Sequence, residues 1–174
     1  MEEAPRFFTR WESPVGELTL CSDGTALTGL WFRGQKFFAQ GKPLGQPAEL
    51  PVFRDAEEWL QKYFRGEQPD PGSLPLAPEG TAMQKIVWDL LLRIPYGHTE
   101  TYGSLARKTA EAMGKPSMSA QAVGGAVGRN PISILIPCHR VVGANGSLTG
   151  YAGGLEKKAF LLELEGADIG LPDR

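Results

Sequence analysis

The 174-residue sequence predicts an α+β fold in two parts, and three observations predict it. Apolar residues alternate in short runs between positions 6 and 32, as half-buried strands require. From 81 to 129 they recur at helical intervals instead. Between the two patterns, residues 68–80 hold Pro69, Pro71, Pro75 and Pro78 with Gly72 and Gly80, a density that neither a helix nor a central strand survives. The expected organisation is a small N-terminal α/β domain over 1–67 (a β-hairpin sheet plus one helix), a proline-rich linker over 68–80, and a mainly helical domain over 81–174.

The first strand runs through Arg6-Phe7-Phe8-Thr9-Arg10-Trp11 and stops at the turn cluster Ser13-Pro14-Val15-Gly16. Glu17-Leu18-Thr19-Leu20 alternates again, and Asp23-Gly24 is a strong hairpin signal ahead of Leu27, Leu30 and Phe32. Over 52–65, Val52, Ala56, Trp59, Leu60, Tyr63 and Phe64 fall on one helical stripe, with Gly66 as the stop.

The second half opens with a capping box: Thr81, then Gln84, ahead of apolar Met83, Ile86, Val87, Leu90 and Leu91. Pro95 and Gly97 end that helix. A second helix is expected over about 103–113, with Leu105, Ala106, Thr109 and Met113 inward and Gly114 past its end. A third spans Ser117 to Arg129 and includes Gly124, Gly125 and Gly128, each costing about 1 kcal/mol of helix propensity against Ala. Such a helix gains something from being thin. Two helices joined by a short turn fit a helix-turn-helix, which makes this domain winged-helix-like. Small side chains let a nucleic-acid backbone come close, and Ser and N–H groups at a helix start hold phosphate. An αα-hairpin packed into its own core gives the same pattern and stays open at this level.

Composition narrows the function classes. Hydrophobic residues at 41% and charged residues at 22% exclude global disorder. No apolar run approaches the roughly 18 residues of a membrane span, so no membrane partner is expected. Met1-Glu2-Glu3-Ala4-Pro5 places acid where a signal peptide carries base, and Cys21 and Cys138 are too few for a disulfide framework. The expected location is the cytoplasm. A net charge of −2 weighs against nucleic acid, whose binders usually carry a basic surface. The distribution points the other way: residues 1–79 hold 8 basic and 12 acidic residues, whereas 83–140 hold 7 basic and 3 acidic.

Ile132-Ser133-Ile134-Leu135-Ile136 reads as a buried strand ending at Pro137 and delivering Cys138-His139-Arg140. Asn145-Gly146 is a type I′ turn signal, and Gly150-Tyr151-Ala152-Gly153-Gly154 leads into a last helix from Leu155 to Glu165. A cysteine attacks as thiolate, and neighbouring cations or histidine lower its pKa. His139 and Arg140 therefore predict a Cys138 thiol that titrates below its ordinary value of about 8.5. A cysteine beside histidine is also compatible with a purely structural role. Cys21, Cys138, His98 and His139 lack metal-finger spacing, so no metal and no cofactor are expected. Cys21 is expected on a sheet packing surface and His98 on the protein surface.

Ile136-Pro137-Cys138-His139-Arg140-Val141-Val142-Gly143, preceded by Ala122-Val123-Gly124-Gly125 and Arg129-Asn130-Pro131, closely resembles the O6-alkylguanine-DNA alkyltransferase (methylated-DNA–protein-cysteine methyltransferase) family. Ile94-Pro95-Tyr96-Gly97, Thr101-Tyr102-Gly103, Gly150-Tyr151-Ala152-Gly153-Gly154 and Leu161-Leu162-Glu163-Leu164-Glu165-Gly166 match in the same order. The resemblance is strong over about 81–166 and loose before it. It implies a DNA repair protein that binds duplex DNA in the minor groove as a monomer. Such a protein flips O6-alkylguanine out, chiefly O6-methylguanine with O4-methylthymine a candidate second substrate. It then transfers the alkyl group irreversibly to its own Cys138. His139 would be the base toward Cys138, Glu165 would orient His139, and Tyr102 would donate to the departing guanine. Tyr151, Ala152, Gly153 and Val141 would line the pocket. Gln121, Ala122, Gly125, Arg129, Asn130 and Arg140 would serve DNA binding, with Asn130 also bracing the turn after the recognition helix.

Two departures stand out. Gln121 occupies the position where the best-known members carry the arginine that fills the gap left by the flipped base. The turn before the recognition helix is lengthened by Glu111-Ala112-Met113-Gly114-Lys115-Pro116. Some members hold zinc in the N-terminal domain; one cysteine and no histidine there predict none. Three alternatives are an alkyltransferase-like lesion-binding protein, a cysteine hydrolase and a DNA-binding regulator. The first of these replaces the cysteine that this chain keeps.

Overall fold

A computed structural model describes residues 5–167. The outer limits of both expected domains, at residues 1–4 and 168–174, lie outside the described residues. The chain forms two compact units: one takes the chain up to Glu79 plus Pro131–Ser133, the other takes Gly80–Asn130 and the chain from Ile134 onward.

In the first unit, β1 (Phe7–Ser13), β2 (Gly16–Ser22) and β3 (Leu27–Phe32) form an antiparallel meander, and β4 (Gln46–Pro47) lies parallel to β1. The sheet order is β3-β2-β1-β4. At the Asp23-Gly24 hairpin, the Asp23 carboxylate accepts the Thr25 and Ala26 N–H groups at 2.9 Å. The helix α1 (Pro51–Phe64) buries Val52, Phe53, Ala56, Trp59, Leu60 and Tyr63, the stripe the spacing predicts with Phe53 added and Phe64 only half-buried. Cys21 is buried with Trp31 and Ala39.

The proline-rich stretch is not a free linker. Leu74 is buried, Leu76 bridges Leu27 in parallel, and residues 68–79 belong to the first unit. Proline forfeits a donor but keeps its carbonyl, and the Pro75 carbonyl accepts the Leu27 N–H at 2.9 Å.

The second unit contains α2 (Ala82–Leu91), β5 (Glu100–Thr101), α3 (Tyr102–Ala112), α4 (Ala120–Gly128), β6 (Val141–Val142) and α5 (Leu155–Leu164). The capping box forms as read: Thr81 Oγ accepts the Gln84 N–H at 3.1 Å, and the Gln84 side chain accepts the Thr81 N–H at 2.9 Å. Strands β5 and β6 pair in parallel, and no antiparallel wing hairpin occurs in this unit among the described residues.

Helix α4 starts three residues later than Ser117 because Ser119 caps it, its hydroxyl accepting the Ala122 N–H at 3.0 Å. Its inner side buries Val123, Ala126 and Val127, and the Trp88 indole of α2 donates to the Ala126 carbonyl at 2.9 Å. No helix among the described residues is long and apolar enough to cross a membrane.

The expected strand over 132–136 does not form. Ile132 makes an isolated bridge to Leu30 within the first unit, and Ile134 turns into the left-handed region at φ 70°. The Asn130 side-chain amide then takes the Ile136 carbonyl at 2.8 Å, closing a tight turn in place of a ladder. Cys138 consequently sits in a 3-10 turn, Cys138–Arg140, rather than at a strand end. At Asn145-Gly146 both residues have positive φ, 62° and 77°, as the turn signal requires.

Candidate active site

Cys138, His139 and Arg140 are all buried in their 3-10 turn, and Glu165, capping the end of α5, is buried beside them. His139 Nε2 meets Glu165 Oε2 at 2.6 Å. Arg140 donates to both oxygens of the same carboxylate, Nε to Oε1 at 2.8 Å and Nη2 to Oε2 at 3.2 Å, and through Nη1 to the Ile94 carbonyl at 2.7 Å. The Gly97 N–H also faces Glu165 Oε1 at 3.5 Å. Gly97 has φ 79°, and a Cβ there would stand 3.2 Å from the Glu165 carbonyl oxygen. This is a position for glycine.

Burial works against the Glu165 charge, but the His139 contact and the Arg140 guanidinium outweigh it and hold the carboxyl down to about 2. Burial, with the Arg140 and Lys158 charges acting in the same direction, lowers His139 against the pull of Glu165, so the imidazole is neutral. With Nε2 engaged by Glu165, Nδ1 has no hydrogen-bond partner among the described residues.

The Cys138 thiol departs from expectation. Burial pushes it above its ordinary value, against the pull of the Asn130 amide, the Lys158 charge and the Tyr151 hydroxyl. At rest Cys138 is a neutral thiol.

The cation beside Cys138 is Lys158, which sequence reading missed. Its side chain lies wholly inside the protein and donates to the Thr149 carbonyl at 2.9 Å and the Gly150 carbonyl at 3.1 Å. Burial drops its pKa to about 8, although Cys138 pulls it back up. The Lys158 ammonium lies 5.8 Å from the centre of the Tyr102 ring. Tyr102, the first residue of α3, places its hydroxyl 3.4 Å from the Thr149 carbonyl. Burial raises its pKa, so the phenol keeps its proton and remains a donor.

The remaining assignments divide. Tyr151, Ala152 and Gly153 are half-buried in the segment pinned by Lys158, and Val141 is buried in β6. Gln121, Ala122, Gly125 and Arg129 lie together on the exposed side of α4. Asn130 is buried as the turn brace. Arg140 is a correction: its guanidinium is committed inside the protein to Glu165 and Ile94, so it is not a DNA-contacting residue. His98 is exposed, as expected.

The chain is similar to known proteins along most of its length. The 6-O-methylguanine DNA methyltransferase DNA binding domain matches residues 82–167, and the ribonuclease-like domain of the same proteins matches residues 7–78. A methylated-DNA–protein-cysteine methyltransferase of Haemophilus influenzae is 45% identical over 159 residues, 91% of this chain and 86% of its own length. One from Methanosarcina acetivorans is 46% identical over 162 residues, 92% of this chain and 99% of its own. The crystal structure of Mycobacterium tuberculosis OGT in complex with DNA superimposes with a TM-score of 0.78 at 42% identity, covering 92% of each chain.

Proposed function

This chain belongs to the 6-O-methylguanine DNA methyltransferase family, and from that premise we propose that Cys138 is its alkyl acceptor. The chain is a methylated-DNA–protein-cysteine methyltransferase of DNA repair, and DNA is its partner. The observation that carries the assignment is the burial of Cys138 beside a neutral His139 oriented by Glu165.

The reaction follows from these groups. Displacement at an sp³ carbon calls for a soft anionic nucleophile, which thiolate supplies. The thiol proton passes toward His139 Nδ1, unpartnered among the described residues, as guanine arrives. The S–C bond forms, the O6–C bond breaks, and its electron pair leaves on the guanine oxygen. Tyr102 donates to the guanine as that charge develops, with Lys158 behind it. Lys158 also stabilises the thiolate at the moment of attack. The product thioether resists water, so each molecule acts once.

The substrate in this reading is O6-alkylguanine, chiefly O6-methylguanine, flipped from duplex DNA that a monomer grips through the minor groove. The exposed side of α4 supports this. Ala122 and Gly125 give the backbone close approach, and Gln121 projects as the group that enters the vacated base position. Intact mass after mixing with O6-methylguanine duplex is expected to show one added methyl, mapped to Cys138, with no further turnover. Cys138→Ala is expected to bind the duplex and accept nothing. Turnover, or a methyl on Cys21, overturns the assignment.

A further inference from the structure

We propose that Arg140 is a positioning residue that keeps His139 an uncharged base by occupying Glu165 from the other side. This rests on the reading of Cys138 as acceptor and His139 as its base.

A histidine in contact with a buried carboxylate has two stable forms. It either donates one N–H to the carboxylate and stays neutral, or it takes a second proton and becomes the carboxylate's counter-ion. The second form leaves no basic nitrogen to receive a thiol proton. A buried glutamate with only a histidine beside it favours that second form.

In this protein the counter-ion position is already filled. Arg140 bonds both Glu165 oxygens at 2.8 and 3.2 Å, and Oε2 is shared with His139 at 2.6 Å. Its place is fixed by the Ile94 carbonyl at 2.7 Å and by the Tyr96 ring, whose centre is 5.7 Å from the guanidinium carbon.

The charged groups acting on His139 are Glu165, Arg140 and Lys158; the Cys138 thiol is its chain neighbour, and the Tyr96 phenol faces Glu165 and Arg140. Helix α2, packed against the same turn, buries Val87, Trp88 and Leu91 and adds no charge there. An imidazolium would set three cations, His139, Arg140 and Lys158, against one carboxylate inside the protein. Arg140 therefore excludes it. Lysine can carry the charge of Arg140 but not its two-pronged grip.

The test begins on the unaltered protein, whose only histidines are His98 and His139. With ¹⁵N-labelled histidine, the His139 ring is expected to show Nε2 protonated and Nδ1 bare from pH 5.5 to 8.5. In Arg140→Gln, His139 is expected to be doubly protonated at neutral pH. Methyl transfer by this variant is expected to fall at least tenfold further at pH 6.5 than at pH 8.5. Arg140→Lys is expected to transfer more slowly yet keep the wild-type pH profile.

A doubly protonated His139 in the wild-type protein at pH 7 overturns the proposal, whether or not Arg140→Gln folds. So does an equal loss in Arg140→Gln at every pH. If His139→Ala transfers normally, or the methyl maps away from Cys138, it is the underlying reading of the site that fails.

Discussion

Replacing Lys158 by methionine, an unbranched side chain of similar length, separates what this residue does for the fold from what it does for the reaction. The ammonium has no exposure to solvent, and its pKa falls from 10.5 to about 8. A drop of that size is worth about 3 kcal/mol of destabilisation from the buried charge. The sign follows from proton binding. Below pH 8 the lysine is charged in both folded and unfolded chains, and the penalty is fully present. Between about 8 and 10.5 the unfolded chain binds more proton, so stability rises with pH until the penalty is gone.

Lys158→Met removes that penalty but leaves the Thr149 and Gly150 carbonyls without their donor, a loss of about 1.5–3 kcal/mol for each charged hydrogen bond. The two effects oppose, and the variant is expected between wild-type stability and about 3 kcal/mol below it at pH 7. Transfer is not protected by this cancellation. Losing a nearby cation raises a thiol by about 1–2 pH units, so the rate at pH 7 is expected to fall about 10- to 100-fold. Urea unfolding from pH 7.5 to 10.5 and mass-detected methyl transfer measure the two quantities on the same samples. A wild-type rate in Lys158→Met, or a stability difference between the two proteins that stays flat across that pH range, would refute the reasoning.

Further outcomes concern Glu165 and Gln121. The Glu165 carboxyl, held at about 2 against 4.5, contributes stability that is fully present above pH 4.5. About 3 kcal/mol of it is lost as pH falls toward 2. Glu165→Gln strands the Arg140 guanidinium, so it is expected to lose about 3–5 kcal/mol at pH 7 and to show a flatter acid profile, both read by urea unfolding. Gln121→Ala is expected to slow repair of duplex while barely affecting free O6-methylguanine, which needs no flipping. Gln121→Arg is expected to hold or raise duplex activity and steepen its salt dependence. Equal relative rates for Gln121→Ala on duplex and free base mean that another side chain fills the gap.

What the sequence reveals and what it hides divide along the range of the forces involved. The Thr81–Gln84 capping box, the α1 stripe and the Asn145-Gly146 turn are set within a few residues, and all three are legible. Lys158 is not. In Leu155–Glu165 it reads as one more solvated lysine, and it is buried only because the Thr149–Gly150 carbonyls meet it. Arg140 misleads for a similar reason. A basic residue beside a nucleophile invites a DNA contact, while its partner Glu165 lies 25 positions away. The 132–136 run has strand composition, yet the Asn130 amide reaching Ile136 decides its shape, and apolar periodicity carries no trace of that bond.

Helix α4 is short and lacks autonomy. Nine residues with three glycines fall below the length at which a peptide holds a helix in water, about 12–15 residues even for alanine-rich sequences. Its shape depends on its setting: the Ser119 hydroxyl caps its start, its own Val123, Ala126 and Val127 are buried, and the Trp88 indole holds its Ala126 carbonyl. A synthetic segment carrying only 117–130 would present the right side chains on no fixed scaffold. The smallest transplantable unit therefore reaches back to Thr81, and grafting the exposed side of α4 onto another protein means carrying α2 along with it.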